Sequence, residues 1–136
     1  MYCFDTDVLS AVLLKDPPLH LVRRLAALPA EVQVTTAITL GELLYGASRR
    51  GSRDLERRIR DVVVRLVDVL PFDADAAEVY GSLRAELESE GRRLAEPDLR
   101  IASISLARNL TLVTGNVRHF ARVPGLPVEN WLDQRV

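Results

Sequence analysis

The stretch MYCFDTD, residues 1–7, decides the fold class. Its first four residues are apolar at every position, the pattern of a strand buried on both faces of a parallel sheet that helices cover. The run stops abruptly at Asp5-Thr6-Asp7. In an open α/β sheet, ligand sites form outside the carboxyl ends of the strands, so an aspartate there enters the crevice.

Working outward, strands and helices alternate. Val8 to Leu14 reads as a short helix ended by Asp16-Pro17-Pro18. Leu21, Val22, Leu25 and Leu28 fall at helical spacing before Pro29, and Val32 to Thr35 reads as a second strand. Leu40, Leu43, Leu44 and Ala47 repeat at i, i+3, i+4 and i+7, which predicts a helix from Thr39 that Gly51 ends. Leu55, Ile59, Val62, Val63 and Leu66 form the next stripe. Val67 to Leu70 is either its last turn or a third strand. Asp73 or Asp75 caps a helix with core face Ala76, Val79, Tyr80, Leu83 and Leu87, stopped near Gly91. Pro97 opens a helix through Ala107. Leu110 to Val113 is a strand, Thr114-Gly115-Asn116 a turn, and Leu126 to Val128 a last strand. The expected architecture is one α/β domain over residues 1–136, a three-layer α/β/α sandwich around a mostly parallel sheet of four or five short strands.

Bulk properties narrow the function. The chain has 136 residues, 48% hydrophobic and 27% charged, with a net charge of -1, so no global basic field argues for nucleic acid. Lys15 is the only lysine, and arginine supplies the remaining cations. Cys3 is the only cysteine, which excludes an intrachain disulfide. No apolar stretch reaches membrane-spanning length, and Asp5 and Asp7 come too early for a signal peptide, so a cytoplasmic location is expected. His20 and His119 are too few and scattered for a zinc site.

The acidic residues carry the chemistry. Each has an ordinary structural explanation when taken singly. Asp5 or Asp7 can cap the helix near Val8, with Asp7 the better placed. Glu42 can be a solvated helix residue. Asp98 in a first helical turn favours the helix dipole, and Asn116 suits a turn. Together, Asp5, Asp98 and Asn116 stand at element ends that an α/β sheet brings to one edge, and Glu42 can join them. Clustered carboxylates without thiolates are the ligands of a hard cation such as Mg²⁺ or Mn²⁺, which assists phosphoryl displacement.

Four segments resemble the PIN-domain family, and within it the VapC branch of toxin–antitoxin ribonucleases. They are FDTDVLSAVL (4–13), TTAITLGELLYGA (35–47), PDLRIASISLARNLTLVT (97–114) and GNVRHFARVPGLPVENW (115–131). The resemblance implies a metal site of Asp5, Glu42 and Asp98, with Asn116 at a fourth position and Thr6 and Thr114 lining the pocket. It implies Mg²⁺- or Mn²⁺-dependent endonucleolytic cleavage of RNA by water. It further implies a second copy of the chain and a VapB-like antitoxin as partners. Two positions depart from the family pattern. His119 stands where an acid is frequent, removing an outer ligand or hydrogen-bond acceptor. Asp7 stands where Asn is common, adding charge to the pocket or capping the helix.

Six arginines (49, 50, 53, 57, 58 and 60) crowd one helix junction. They read as a solvated face paired with Asp54, Glu56 and Asp61, although RNA phosphates are the other possibility. Trp131 and Phe120 read as packing residues. Two other functions fit parts of the chain. A phosphohydrolase with an Asp-x-Asp nucleophile matches residues 5–7, but Lys15 is poorly placed for its basic residue and no later lysine follows. A PIN-like RNA-binding module without cleavage leaves the intact carboxylates without a purpose.

Overall fold

The computed structural model describes residues 1–65 and 67–133; Leu66, the last residue of one expected stripe, lies outside them. In chain order the elements are β1 (Tyr2–Phe4), α1 (Thr6–Val12), α2 (Leu19–Ala26) and β2 (Gln33–Thr36). They continue with α3 (Ala37–Arg50), α4 (Arg53–Ile59), β3 (Asp68–Leu70), α5 (Ala74–Ser89) and α6 (Glu96–Ala107). β4 (Thr111–Val113), α7 (Val117–Phe120) and β5 (Val128–Glu129) complete the series. A π-helical turn over Arg60–Val64 extends α4.

The five strands form one sheet in the order β3-β2-β1-β4-β5. Each adjacent pair is parallel, with Cys3 level with both Val34 and Leu112. This is the expected helix-covered parallel sheet. Side chains alternate between its faces, and the two cores follow that alternation. Cys3, Val34 and Leu112 pack on one face with Leu83, Leu87, Ile101 and Ile104 of α5 and α6. Phe4 and Val113 pack on the other with Val8, Leu21, Leu43 and Ile59. Trp131 closes that second core, 1% exposed. Its ring packs beside Tyr2 and edge-on to Phe4, and the Arg24 guanidinium covers it at 4.1 Å. Trp131 and the fully buried Phe120 are thus packing residues, as expected.

Several boundaries differ from the sequence reading. α1 begins at Thr6 rather than Val8, because the cap is Asp5 and not Asp7. Apolar periodicity starts two residues late there, since Thr6 and Asp7 use their side chains elsewhere. Residues 68–70 form a strand, settled by pairing with Val34 to Thr36. Asp73, not Asp75, caps α5 by accepting the Ala76 N–H at 3.0 Å. β5 begins at Val128; Leu126 is buried, but it belongs to the turn around Gly125 (φ 77°). Gly51 does end α3, in the left-handed conformation at φ 66° that glycine adopts without a Cβ penalty.

Candidate active site

The carboxyl ends of β1 and β4, with the helices α3 and α6, deliver the polar groups. Asp5 ends β1, and its Oδ1 caps α1 by accepting the Thr6 N–H at 2.8 Å. Its Oδ2 accepts the Thr114 hydroxyl, just beyond β4, at 2.8 Å. Only 6% of the residue is exposed. Burial pushes the Asp5 carboxyl up to about 6, against the pull of the Thr114 and Thr6 hydrogen bonds; the charges of Asp7 and Asp98 add to the rise.

Thr114 both gives and receives. While its hydroxyl donates to Asp5, its oxygen accepts the Asn116 N–H at 3.0 Å. Asp7 neither caps α1 nor stands free in the pocket. Its Oδ2 accepts the Gly115 N–H at 2.8 Å, fastening the β4–α7 loop to the start of α1. A Cβ at Gly115 would lie 2.8 Å from both Asp7 Oδ2 and Leu132 Cδ1, so a larger residue there would have to push those two side chains aside.

Glu42 joins through the neighbouring hydroxyl: Thr6 Oγ1 donates to its Oε1 at 2.7 Å. Its helix, α3, is capped by Thr36, whose hydroxyl accepts the Thr39 N–H at 3.0 Å. Asp98 lies half-buried in the first turn of α6. Burial raises its pKa and the nearby Asp7 adds to this, while His119 opposes both. His119 Nε2 stands 3.0 Å from Asp98 Oδ2. Asn116 heads α7, and its backbone, not its amide, makes the hydrogen bond described above.

Asp5, Thr6, Glu42, Thr114 and Asn116 therefore form one hydrogen-bonded chain. Asp7 is tied to the same loop, and Asp98 is coupled to Asp5 and Asp7 by charge. His119, expected to leave the pocket one acid short, instead contacts Asp98; its place three residues after Asn116, in one helical turn, is the signal the sequence offers for this. Carboxylate oxygens of this kind suit a hard cation, and the mutual charge repulsion is what such an ion relieves. Among the described residues, however, no group of three or more His, Cys, Asp or Glu is placed to hold a metal ion as it stands. Asp5 and Glu42 already accept hydrogen bonds from protein donors, and Asp98 is in hydrogen-bond contact with the His119 imidazole.

Beside Glu42 opens a groove of about 400 Å³, floored by Leu13, Leu43 and Leu55 and rimmed by Lys15, Arg50 and Arg58. Arg58 donates to the Leu13 carbonyl and pairs with Asp54. Arg60 pairs with Glu56, and the neighbouring Arg65 with Asp61, as expected for a solvated face. No described ion pair engages Lys15 or Arg50.

The model of the PIN domain matches residues 2–126. Ribonuclease VapC2 of Rickettsia felis is 32% identical over 131 residues, covering 96% of this chain and 98% of that protein. The tRNA(fMet)-specific endonuclease VapC of Shigella flexneri is 40% identical over 96 residues, 71% of this chain and 73% of its own. Among solved structures, VapBC2 from Rickettsia felis bound to a DNA fragment from their promoter contains a similar chain. The match has a TM-score of 0.84 and 34% identity, over 96% of this chain and 98% of that one.

Proposed function

This chain belongs to the PIN-domain family, and from that premise we propose that it is the toxin of a VapBC-type toxin–antitoxin pair, a metal-dependent endoribonuclease that hydrolyses RNA phosphodiester bonds. One observation carries the reading. Asp5, Glu42 and Asp98 meet the Thr6, Thr114 and His119 side chains at the carboxyl edge of the sheet, in a chain related along nearly its whole length to a VapC ribonuclease.

Asp5 and Asp98 are the residues that would hold Mg²⁺ or Mn²⁺, with Glu42 orienting the ion or a water and Asn116 contributing its amide oxygen. Such an ion, when bound, lowers the pKa of water and offsets charge on phosphoryl oxygens. The protein's part is positioning. Thr114 fixes one Asp5 oxygen, Thr6 directs Glu42, and the Asp7–Gly115 contact sets the loop that carries Asn116. Lys15 and Arg50, at the rim beside Glu42, are the proposed contacts for RNA phosphates. The proposed partners are an RNA substrate, a VapB-like antitoxin and a second copy of the chain, acting in the cytoplasm.

The test is cleavage of bulk bacterial RNA by the purified chain in Mn²⁺. Cuts that vanish with chelator and in Asp5→Ala support the proposal; wild-type rates in Asp5→Ala refute it.

A further inference from the structure

We infer that His119 is the positioning residue for Asp98, holding one carboxylate oxygen so that the other is the one left for a divalent cation; this rests on the metal-dependent reading above. Asp98 is the third residue of α6, behind an N-cap, Ala95, that has no side-chain oxygen to offer. The described hydrogen bond of Asp98 is the one to His119. The contact joins residues 21 apart in sequence, from elements on either side of β4. Among the described residues, Oδ2 is the one Asp98 oxygen that is engaged.

His119 is itself held firmly. It belongs to α7, whose next residue, Phe120, is 0% exposed and contacts the imidazole edge-on at 5.7 Å between ring centres. The head of α7 is fixed by the Asn116 N–H on Thr114 Oγ1, the same hydroxyl that donates to Asp5. One threonine therefore sets both Asp5 and the helix that orients Asp98. Partners of this kind restrict a ligand's rotamer before the ion arrives, and their loss typically costs about 10- to 100-fold in metal affinity.

The contact is made by Nε2, which gives the test atomic resolution. A glutamine amide nitrogen reaches about as far from the backbone as Nε2, whereas an asparagine amide stops near the place of Nδ1. The full chain, free of RNA, is titrated with Mn²⁺ while the free ion is read by electron paramagnetic resonance. Circular dichroism melts report the folded fraction of each variant. His119→Asn should bind Mn²⁺ about tenfold more weakly than wild type, and His119→Gln should stay within about threefold. On RNA, His119→Asn should lower kcat with KM little changed, since the groove cations are untouched.

Wild-type Mn²⁺ affinity in His119→Asn overturns the inference, and so does tighter binding, which would mean that the imidazole competes with the ion. A His119→Gln protein as weak as His119→Asn assigns the effect to ring packing and also overturns it. A wild-type chain that binds no Mn²⁺ sinks the metal-dependent reading, a result distinct from wild-type binding that the substitutions leave unchanged.

Discussion

Asp5 is folded at a cost. Its carboxyl is pushed up to about 6 from an ordinary 3.8, so the folded chain binds a proton more tightly than the unfolded chain does. Stability from this group is fully present below about pH 4 and is lost as pH rises through about 6. At neutral pH the ionised, buried carboxylate is a destabilising group. Asp5→Asn keeps an oxygen for the Thr6 N–H without the charge. In ion-free buffer at pH 7.5 it should be more stable than wild type by about 1–3 kcal/mol, a difference that urea melts should see shrink towards pH 4. The same protein should cleave no RNA. A variant both less stable and inactive would mean that Asp5 serves the fold. The candidate residues were legible by type: Asp5, Glu42, Asp98, Thr114 and Asn116 by their places in the sequence, Thr6 through the family resemblance. Which oxygen meets which donor was not, because the Thr114–Asp5 and His119–Asp98 contacts span 109 and 21 residues.

At the scale of elements, local signals worked where a boundary is enforced locally. Gly51 stops α3 through its own backbone and Asp73 caps α5, both among the expected residues, whereas α1 takes Asp5 rather than the favoured Asp7 as its cap and α3 starts at Ala37, capped by Thr36, ahead of the expected Thr39. Local signals failed where the partner is distant. Nothing within residues 67–70 distinguishes a helical turn from a strand; their pairing with β2 decides it. Thr36 tests how far α3 depends on its cap. It is fully buried, accepts the Thr39 N–H and lies within hydrogen-bond distance of the Thr39 hydroxyl. Thr36→Ala should cost about 1–2 kcal/mol in a denaturant melt. Cleavage should fall as well if the helix start shifts Glu42 away from Thr6, and thermal melts followed with activity in parallel would separate the two effects.

Over the whole molecule, charge is distributed rather than massed. With a net charge of -1, the proposed affinity for RNA falls to local cations. Lys15 and Arg50 stand on the groove beside Glu42 without a described ion pair, unlike Arg58 and Arg60. Each of Lys15→Ala and Arg50→Ala should weaken binding of single-stranded RNA to a cleavage-dead Asp5→Asn protein, lowering the dependence of log K on log salt by about one contact's share. Unchanged salt slopes would move the RNA track elsewhere. The sheet order adds something that no single residue does. β1 lies at the centre, between β2 and β4, so its first residues pair with Gln33 early in the chain and with Thr111 near its end. A ribosome that has released the first ninety residues has made Asp5 and Glu42 but neither Asp98 nor the loop that follows β4. On the function proposed above, a chain that has emerged only so far lacks part of its carboxylate set and should cut no RNA.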